Sequence, residues 1–211
     1  AAAGAARRAG LARFVLVSGA GVRHPRSQAY RLLNLFGRRM DHKVAGEEGV
    51  RAAYEGALSG VRYTVVRPSG LTDAPPKGAA QMTVRQGDGA AGRVSRGDVA
   101  EVIAELCACA DGNGDDQELA ANATFELYDT GSGVPAHTLT VGDILSDEAL
   151  AGSALLRMLG AAPQSPRAFA EAGGERASRA GCATYSELLS GLATDAELAA
   201  QEGGDETAHT Q

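Results

Sequence analysis

The chain has 211 residues, with 20 basic and 26 acidic side chains and a net charge of −6 at pH 7. Its length predicts one domain, or one domain with a tail, and its acidic balance argues against a surface that binds nucleic-acid phosphates. Apolar residues make up 44% of the chain, as in globular proteins, and no apolar run is long enough to cross a membrane.

The first 12 residues, AAAGAARRAGLA, contain no acidic side chain. That composition is typical of a transit peptide, but it also fits the end of a helix that leads into a strand at Arg13. We favour the helix.

Short apolar runs rich in β-branched residues predict the strands of a buried sheet. The predicted strands are residues 13–18, 61–67, 82–86 and 123–128. Pro68 ends the second of them, because proline has no N–H to donate to a neighbouring strand.

Helical patterns lie between these strands, at residues 29–58 and 97–110. Ser95 is a predicted N-cap, and Asp98 stands three positions later, as in a capping box. Arg96 and Asp98 also carry charges that allow them to pair, but we favour the capping role. The alternation of strand and helix predicts an α/β fold, with a parallel sheet flanked by helices.

The alternation weakens after residue 130. We expect residues 1–130 to form the α/β domain, residues 131–200 a helical C-terminal extension, and residues 201–211 a disordered tail. Helices within the extension are predicted near residues 141–159, Ala168 and residues 185–200.

The cysteines and histidines predict neither a disulfide framework nor a metal site. The three cysteines form an odd and sparse set, and Cys107 and Cys109 are two positions apart, so a helix points them to different faces. The four histidines show no spacing typical of metal ligands. Such cysteine usage is consistent with a reducing compartment, and we expect an intracellular, soluble protein.

Three glycine patterns approach the G-x-G-x-x-G loop that grips a dinucleotide. They begin at Gly19, Gly87 and Gly131. His24 occupies the third glycine position of the first pattern, the second pattern is a turn before a predicted helix, and no helix clearly opens after the third. We interpret all three as turns.

Four segments stand in a specific order and spacing: VLVSGAGV from residue 15, Lys43 followed by Glu47, YTVVRPSGLTD from residue 63, and GRVSRGDVAEV from residue 92. Together they resemble the atypical short-chain dehydrogenase/reductase group, and most closely its NAD(P)-binding branch of NmrA-like and plastid proteins. The resemblance extends to about residue 128. It implies a Rossmann-like sheet of which this chain contains only the part from the helix before the family's fifth strand onward. The N-terminal half of the family's fold, with the dinucleotide loop, is then absent from the chain.

The resemblance also implies a site. It predicts NAD(P) as cofactor, with NADP slightly favoured, a small-molecule substrate, and a location in the plastid stroma or the cytoplasm. Lys43 is the implied catalytic lysine, which holds the nicotinamide ribose. The residues implied to line the cofactor site with it are Ser18, Gly19, Pro68, Ser69, Gly70 and Leu71.

Simpler roles stay open for the same residues. Lys43 has Glu47 four positions on, as in a solvated helix pair. The Ser18 hydroxyl at a strand end also suits a backbone hydrogen bond, and residues 67–70 also suit a sharp strand exit.

The catalytic positions depart from the pattern of active members, which use a serine after strand five and a tyrosine four residues before the lysine. Here Gly19 stands at the serine position, Arg39 at the tyrosine position, and Tyr30 lies too far back to replace it. These departures argue against carbonyl reduction but not against cofactor binding.

Three hypotheses follow. In the first, the chain belongs to an NAD(P)H-dependent oxidoreductase of a small carbonyl or quinone-like compound and binds its cofactor together with residues outside the chain. In the second, it is a non-catalytic scaffold, and a protein partner or a second copy covers the exposed edge of the strand at residues 13–18. The third is an incomplete gene product without independent function.

Overall fold

The computed structural model describes residues 2–35, 37–56, 61–109, 119–138 and 178–208. The helices of this part are α1 (Ala2–Arg8), α2 (Gln28–Leu35), α3 (Arg39–Tyr54), α4 (Arg96–Ala108), α5 (Tyr185–Leu189) and α6 (Asp195–Ala208). Its strands are β1 (Arg13–Val17), β2 (Arg62–Pro68), β3 (Gly70–Thr72), β4 (Met82–Arg85), β5 (Ala90–Ala91), β6 (Arg93–Ser95), β7 (Ala123–Asp129), β8 (Val134–Pro135) and β9 (Ser178–Ala180). No helix among them is long and apolar enough to cross a bilayer.

The main sheet has five strands in the order β1-β2-β7-β4-β9. The pairs β1–β2 and β2–β7 are parallel, as predicted, whereas β4 runs antiparallel to both β7 and β9. The expectation of an α/β fold with a parallel-dominant sheet and flanking helices is confirmed. The antiparallel β4 follows from its connection to β2, because β3 and the loop after it carry the chain back without a crossover helix.

Strand β1 lies at the edge of this sheet. Among the described residues it pairs with β2 alone, from Arg13 opposite Arg62 to Val17 opposite Val66. Val17 is 46% exposed at the end of the strand. Within the described ranges no strand pairs with the outer side of β1, and an edge of this kind suits a further strand.

The long helix predicted at residues 29–58 is two helices. The chain breaks between α2 and α3, where Gly37 and Arg38 both have positive φ, of 81° and 50°. A left-handed pair of residues cannot continue a right-handed helix, so α3 starts anew at Arg39.

The helices cover the sheet on two faces. On one face, α4 and α5 pack against β2, β4 and β7 through Val102, Leu106, Phe125 and Leu188, which are fully buried. On the other face, α1 and α3 cover β1 and β2 through a smaller cluster that includes Val50. This second face is called the α3 face below.

Asp98 joins three elements at the start of α4. Its amide donates to the Ser95 hydroxyl at 2.9 Å, as the predicted N-cap requires. Its carboxylate accepts from that same hydroxyl at 2.7 Å. The same carboxylate accepts the amides of Lys77 and Gly78, and the Tyr185 hydroxyl at 2.8 Å. Asp98 therefore ties the loop after β3 and helix α5 to α4.

The region after residue 130 contains more than helices. Strand β9 joins the main sheet beside β4, and the helix predicted at residues 185–200 is divided into α5 and α6. Helix α6 extends to Ala208, into the stretch for which a disordered tail is predicted. The helices predicted near 141–159 and Ala168 lie outside the described residues, and the division into domains stays a prediction.

We expect Asp98→Ala to lower the free energy of unfolding by about 2–3 kcal/mol, because it strands several buried donors at once. The measurement is urea denaturation followed by circular dichroism. Glu101→Ala, at an exposed position of α4, is the matched control and should change stability by less than about 0.5 kcal/mol. Equal effects of the two substitutions contradict the role of Asp98.

Candidate functional site

Ser18, Gly19 and Lys43 meet at the carboxyl end of β1. The Lys43 ammonium donates to the Ser18 carbonyl oxygen at 2.6 Å. A Cβ atom at Gly19 would lie 2.6 Å from Lys43 Nζ, so glycine leaves the room that the ammonium occupies. Burial lowers the pKa of Lys43, although Glu47 on the same helix opposes the shift. Lys43 is exposed, as in the simpler interpretation, but it forms no ion pair with Glu47 and contacts Ser18 instead.

The corner after β2 lies beside them. The Ala20 amide donates to the Pro68 carbonyl oxygen at 3.1 Å, which joins the two strand exits. The Ser69 amide donates to Leu127 and the Gly70 amide to Gly92, at 3.0 and 2.9 Å. These backbone donors are engaged within the fold, so the corner offers a ligand its side chains rather than its amides.

Leu71 lies one position beyond the corner, in β3. It pairs with Val94 of β6 and packs, partly buried, against the core on the α4 face. Gly70 has little room for a side chain, because a Cβ there would lie 3.2 Å from the Gly92 carbonyl oxygen.

Two buried hydroxyls at these strand ends lack partners. Ser18 and Ser69 are 4% and 7% exposed, and neither Oγ forms a hydrogen bond within the described part of the chain. The Ser18 hydroxyl lies close enough to Glu47 to help lower the pKa of that carboxyl, but no hydrogen bond of normal geometry joins them. A buried hydroxyl without a partner is costly, so this pair indicates a place where a polar ligand group fits.

Tyr30 is not positioned as a proton donor beside Lys43. Its hydroxyl donates to Asp41 Oδ1 at 2.6 Å, and burial together with that hydrogen bond raises the pKa of Tyr30 to about 12. Arg39, four positions before Lys43, is exposed at the first turn of α3. The structure thus agrees with the sequence that no tyrosine of this segment serves Lys43.

Arg67 lies at the centre of a buried charge cluster on the α3 face. Its guanidinium donates two hydrogen bonds to Glu47, from Nε at 3.0 Å and from a terminal nitrogen at 2.7 Å. The other terminal nitrogen lies 3.8 Å from Asp88 and 3.6 Å from Glu126. These four residues, each at most 3% exposed, are called the Arg67 cluster.

Arg67 faces three buried carboxylates, of which Glu47 also has the Arg51 guanidinium at 3.2 Å. Burial favours the protonated form of Glu47, but Arg67 outweighs it and holds the pKa of Glu47 below its ordinary value. Burial raises the pKa of Asp88, and burial together with the Asp88 charge raises the pKa of Glu126 to about 8. Glu126 Oε2 has no hydrogen-bond partner among the described residues. Glu126 accordingly holds the proton of the cluster at neutral pH.

The sequence analysis did not find this cluster, although one signal was present. Arg67 and Glu126 are charged residues inside apolar runs that predict buried strands, and a charge in such a run requires a partner. The register of β2 and β7 places the two opposite each other. In the sequence, Asp88 lies in a predicted turn, and no pattern there indicates that its carboxylate is buried.

A cavity of about 540 Å³ lies beside the Arg67 cluster, between α3, α6 and the loop after β1. At its rim, Asp195 Oδ2 accepts hydrogen bonds from Arg51, Tyr63 and Thr124 at 2.7–2.8 Å and so fixes the start of α6. None of Ser18, Lys43 or Ser69 lines this cavity. The described residues contain no cluster of side chains that suits a metal ion, and no metal site is proposed.

We expect Arg67→Met to lower the free energy of unfolding by about 3–5 kcal/mol, because it leaves buried carboxylates without their cation. Arg39→Met removes an equal charge from an exposed position of α3 and should cost less than about 0.5 kcal/mol. Urea denaturation of both variants makes the comparison. A cost below about 1 kcal/mol for Arg67→Met contradicts the central role of the cluster.

Glu126→Gln tests whether Glu126 is protonated in the folded protein. Because the folded-state pKa of Glu126 is raised to about 8, the folded protein binds a proton that the unfolded chain releases near its ordinary value. Its contribution to stability is therefore present at low pH and is lost as the pH rises toward 8. The stability of Glu126→Gln relative to the parent should rise by on the order of 2 kcal/mol between about pH 5 and 8.

Chemical denaturation of parent and variant across this pH range measures that difference. Glu48→Gln, at an exposed position of α3, is the control, and its difference from the parent should not change with pH. A constant difference for Glu126→Gln means that Glu126 is ionised in the fold.

Comparison with known proteins identifies the family. Residues 1–110 match the model of a family described as NAD(P)H-binding. An uncharacterized chloroplastic protein of Arabidopsis thaliana is 37% identical over 110 residues, which cover 48% of this chain and 35% of the relative.

Two solved structures are similar over about half of their length. A protein provisionally assigned as an NAD-dependent epimerase/dehydratase, from Bacillus halodurans, has 26% identity and a TM-score of 0.38, with 63% of this chain and 52% of that one covered. A short-chain dehydrogenase/reductase from Veillonella parvula, in complex with NADP, has 17% identity and a TM-score of 0.40, with 56% and 51% covered. The chain thus spans about a third to a half of the length of these relatives. The match over residues 1–110 nevertheless covers more than half of the chain, which therefore belongs to the NAD(P)H-binding family.

Proposed function

We propose that this chain forms the nicotinamide side of an NAD(P)H-dependent oxidoreductase site, whose substrate is a small carbonyl or quinone-like compound. The observation that carries the proposal is the Lys43 ammonium on the Ser18 carbonyl oxygen at the end of β1, together with two buried, unpartnered hydroxyls, Ser18 and Ser69, in the segments that follow the adjacent parallel strands β1 and β2. In open α/β sheets, ligands bind outside the carboxyl ends of the strands.

The residues present fit the nicotinamide ribose and carboxamide. Lys43 is already held at the strand end, and an ammonium keeps two further hydrogens to donate to ribose hydroxyls. The Ser18 and Ser69 hydroxyls both donate and accept, as a carboxamide requires. Gly19 leaves room for the Lys43 ammonium, and we assign Pro68, Gly70 and Leu71, at and after the neighbouring strand exit, to the adjoining part of the site.

When bound, NAD(P)H supplies the hydride. The chain's own residues then orient the ribose, exclude water and offer hydrogen bonds to the substrate oxygen. With Arg39 at the position of the usual tyrosine, that oxygen receives its hydrogen bond from a serine hydroxyl, and we expect a slow reaction relative to enzymes that possess the tyrosine.

Of the two cofactors we propose NADP, because the chain resembles plastid-type proteins. The chloroplastic assignment of the relative from Arabidopsis thaliana supports a plastid location, with the cytoplasm as the alternative.

A non-catalytic interaction protein is the alternative function. It is favoured by the edge of β1, which among the described residues pairs on one side only and ends in the exposed Val17. A further strand from a protein partner or a second copy would complete that edge.

Calorimetric titration tests the proposal. Reduced nicotinamide mononucleotide carries the half of the cofactor that this site holds, so it should bind saturably, whereas ADP-ribose, which has neither a nicotinamide nor a phosphate monoester, should not. Lys43→Met should weaken binding of the mononucleotide at least about tenfold, since it removes charge-assisted hydrogen bonds. NADPH and NADH are titrated in parallel to compare the two cofactors.

Arg39→Met, one turn earlier on α3 and exposed, removes the same charge and should leave binding within about twofold. Thermal melting of both variants shows that they remain folded. Equal binding by parent and Lys43→Met contradicts the site, and a folded chain that binds no nicotinamide nucleotide favours the interaction protein.

A further inference from the structure

A second cavity, of about 440 Å³, lies at the far end of the loop that leaves β1. The residues that line it are Arg23, His24, Pro25, Arg26, Ser27 and His137. Two of these are arginines and two are histidines, and none is acidic. None of the residues of the proposed nicotinamide site lines this cavity.

The ring of His24 is held in a fixed orientation. Its Nε2 lies 2.6 Å from the Asp88 carbonyl oxygen, and because a carbonyl only accepts, Nε2 is the nitrogen that donates. The Asp88 carboxylate accepts the amides of Gly21 and Arg23, at 2.7 and 2.6 Å, and so fixes the loop on both sides. Nδ1 of His24 is left for a ligand or a proton.

His137 and Arg26 also line this cavity. His137 has its ring centroid 6.4 Å from that of His24, and the two rings are tilted by 56°. Arg26 is exposed and forms no ion pair within the part of the chain that the structure describes. Residues 1–40 contain eight arginines and no acidic residue, in a chain whose net charge is −6. A group of like charges gathered in one concave place attracts anions.

Ser27 adds a hydroxyl to this cavity. Its Oγ accepts the Tyr30 amide at 3.1 Å at the start of α2, so the hydroxyl keeps its own hydrogen to donate. Guanidinium forks, imidazoles and a hydroxyl around one cavity match the several oxygens and the double charge of a phosphate monoester better than a single halide or a carboxylate.

We propose that this cavity is a binding site for a phosphate monoester group, carried by a small molecule. Arg26 supplies positive charge, His137 supplies a ring nitrogen, and His24 holds a third contact in place through the Asp88 carbonyl. The proposal does not depend on the nicotinamide site, because the two sites share no lining residue.

Histidine ring signals in NMR report directly on this cavity. With inorganic phosphate as the probe at low ionic strength, the ring signals of His24 and His137 should shift together and saturate, while that of His42, exposed on α3, stays in place. Arg26→Gln should weaken phosphate binding at least about tenfold, since charge-assisted hydrogen bonds are the strong ones.

Arg31→Gln is the matched control, because it removes the same charge from an exposed position of α2 outside the cavity, and it should change the affinity by less than about twofold. The proposal is overturned if phosphate binding saturates but Arg26→Gln does not weaken it, or if Arg26→Gln and Arg31→Gln weaken it equally. It is also overturned if all histidine signals shift equally.

Two sources of the phosphate are then distinguished with the parent chain. Phenyl phosphate represents a phosphorylated substrate, and adenosine 2′-monophosphate represents the phosphate of NADP. If the cofactor is the source, adenosine 2′-monophosphate binds more tightly than phenyl phosphate and loses that advantage in Arg26→Gln. If a substrate is the source, the two bind alike, and both depend on Arg26. If the chain binds neither of these two compounds nor inorganic phosphate, the phosphate site is refuted, even if reduced nicotinamide mononucleotide binds at Lys43.

Discussion

Arg67 is removed from water in the middle of the α3 face, and its guanidinium has to find its partners inside the protein. A buried charge without partners costs several kcal/mol, so every element that carries a partner is constrained in position. Glu47 brings α3, Asp88 brings the turn after β4, and Glu126 brings β7. The two hydrogen bonds to Glu47 restrict both the distance and the rotation of α3 relative to β2.

That restriction reaches the candidate site through the geometry of a helix. Lys43 stands four residues before Glu47, which is one turn along the same face of α3. Fixing Glu47 on Arg67 therefore sets how far along β1 the Lys43 ammonium reaches, and it reaches the Ser18 carbonyl oxygen. Asp88 does the same for the other end of the loop, since its carboxylate holds the Gly21 and Arg23 amides. The proposed nicotinamide site and the proposed phosphate site are thus positioned by one buried cluster.

Much of the fold follows from local patterns. The apolar runs at residues 13–18, 61–67 and 123–128 are strands with ends moved by only one or two residues, and Ser95 caps α4 as predicted. These features depend on residues near each other in sequence, where hydrophobic periodicity and capping chemistry act.

The use of the predicted residues as a cofactor site stays a prediction, but their position in the fold can be compared. The resemblance brought Lys43 to the end of β1 together with Ser18 and Gly19, and the structure places them there. Three further features depend on distant pairings that no local pattern contains: the register that sets Arg67 opposite Glu126, the antiparallel direction of β4, and the contact of Asp195 with β2 and β7. The helix break at Gly37 was also missed, because glycine inside an otherwise helical pattern is often tolerated.

The charge balance of the cluster bears on what the site can do. With a proton on Glu126, the Glu47 and Asp88 carboxylates face Arg67, and Arg51 adds a second guanidinium 3.2 Å from Glu47. The Glu47 charge favours the ammonium form of Lys43 and opposes the lowering of its pKa by burial. An ammonium form is what the proposed contact of Lys43 with a ribose requires. The Ser18 hydroxyl lies near Glu47 and helps to lower the pKa of that carboxyl. The proposed site therefore has hydroxyl groups to offer a ligand, and Arg39 stands where active members of the resembled group have a tyrosine.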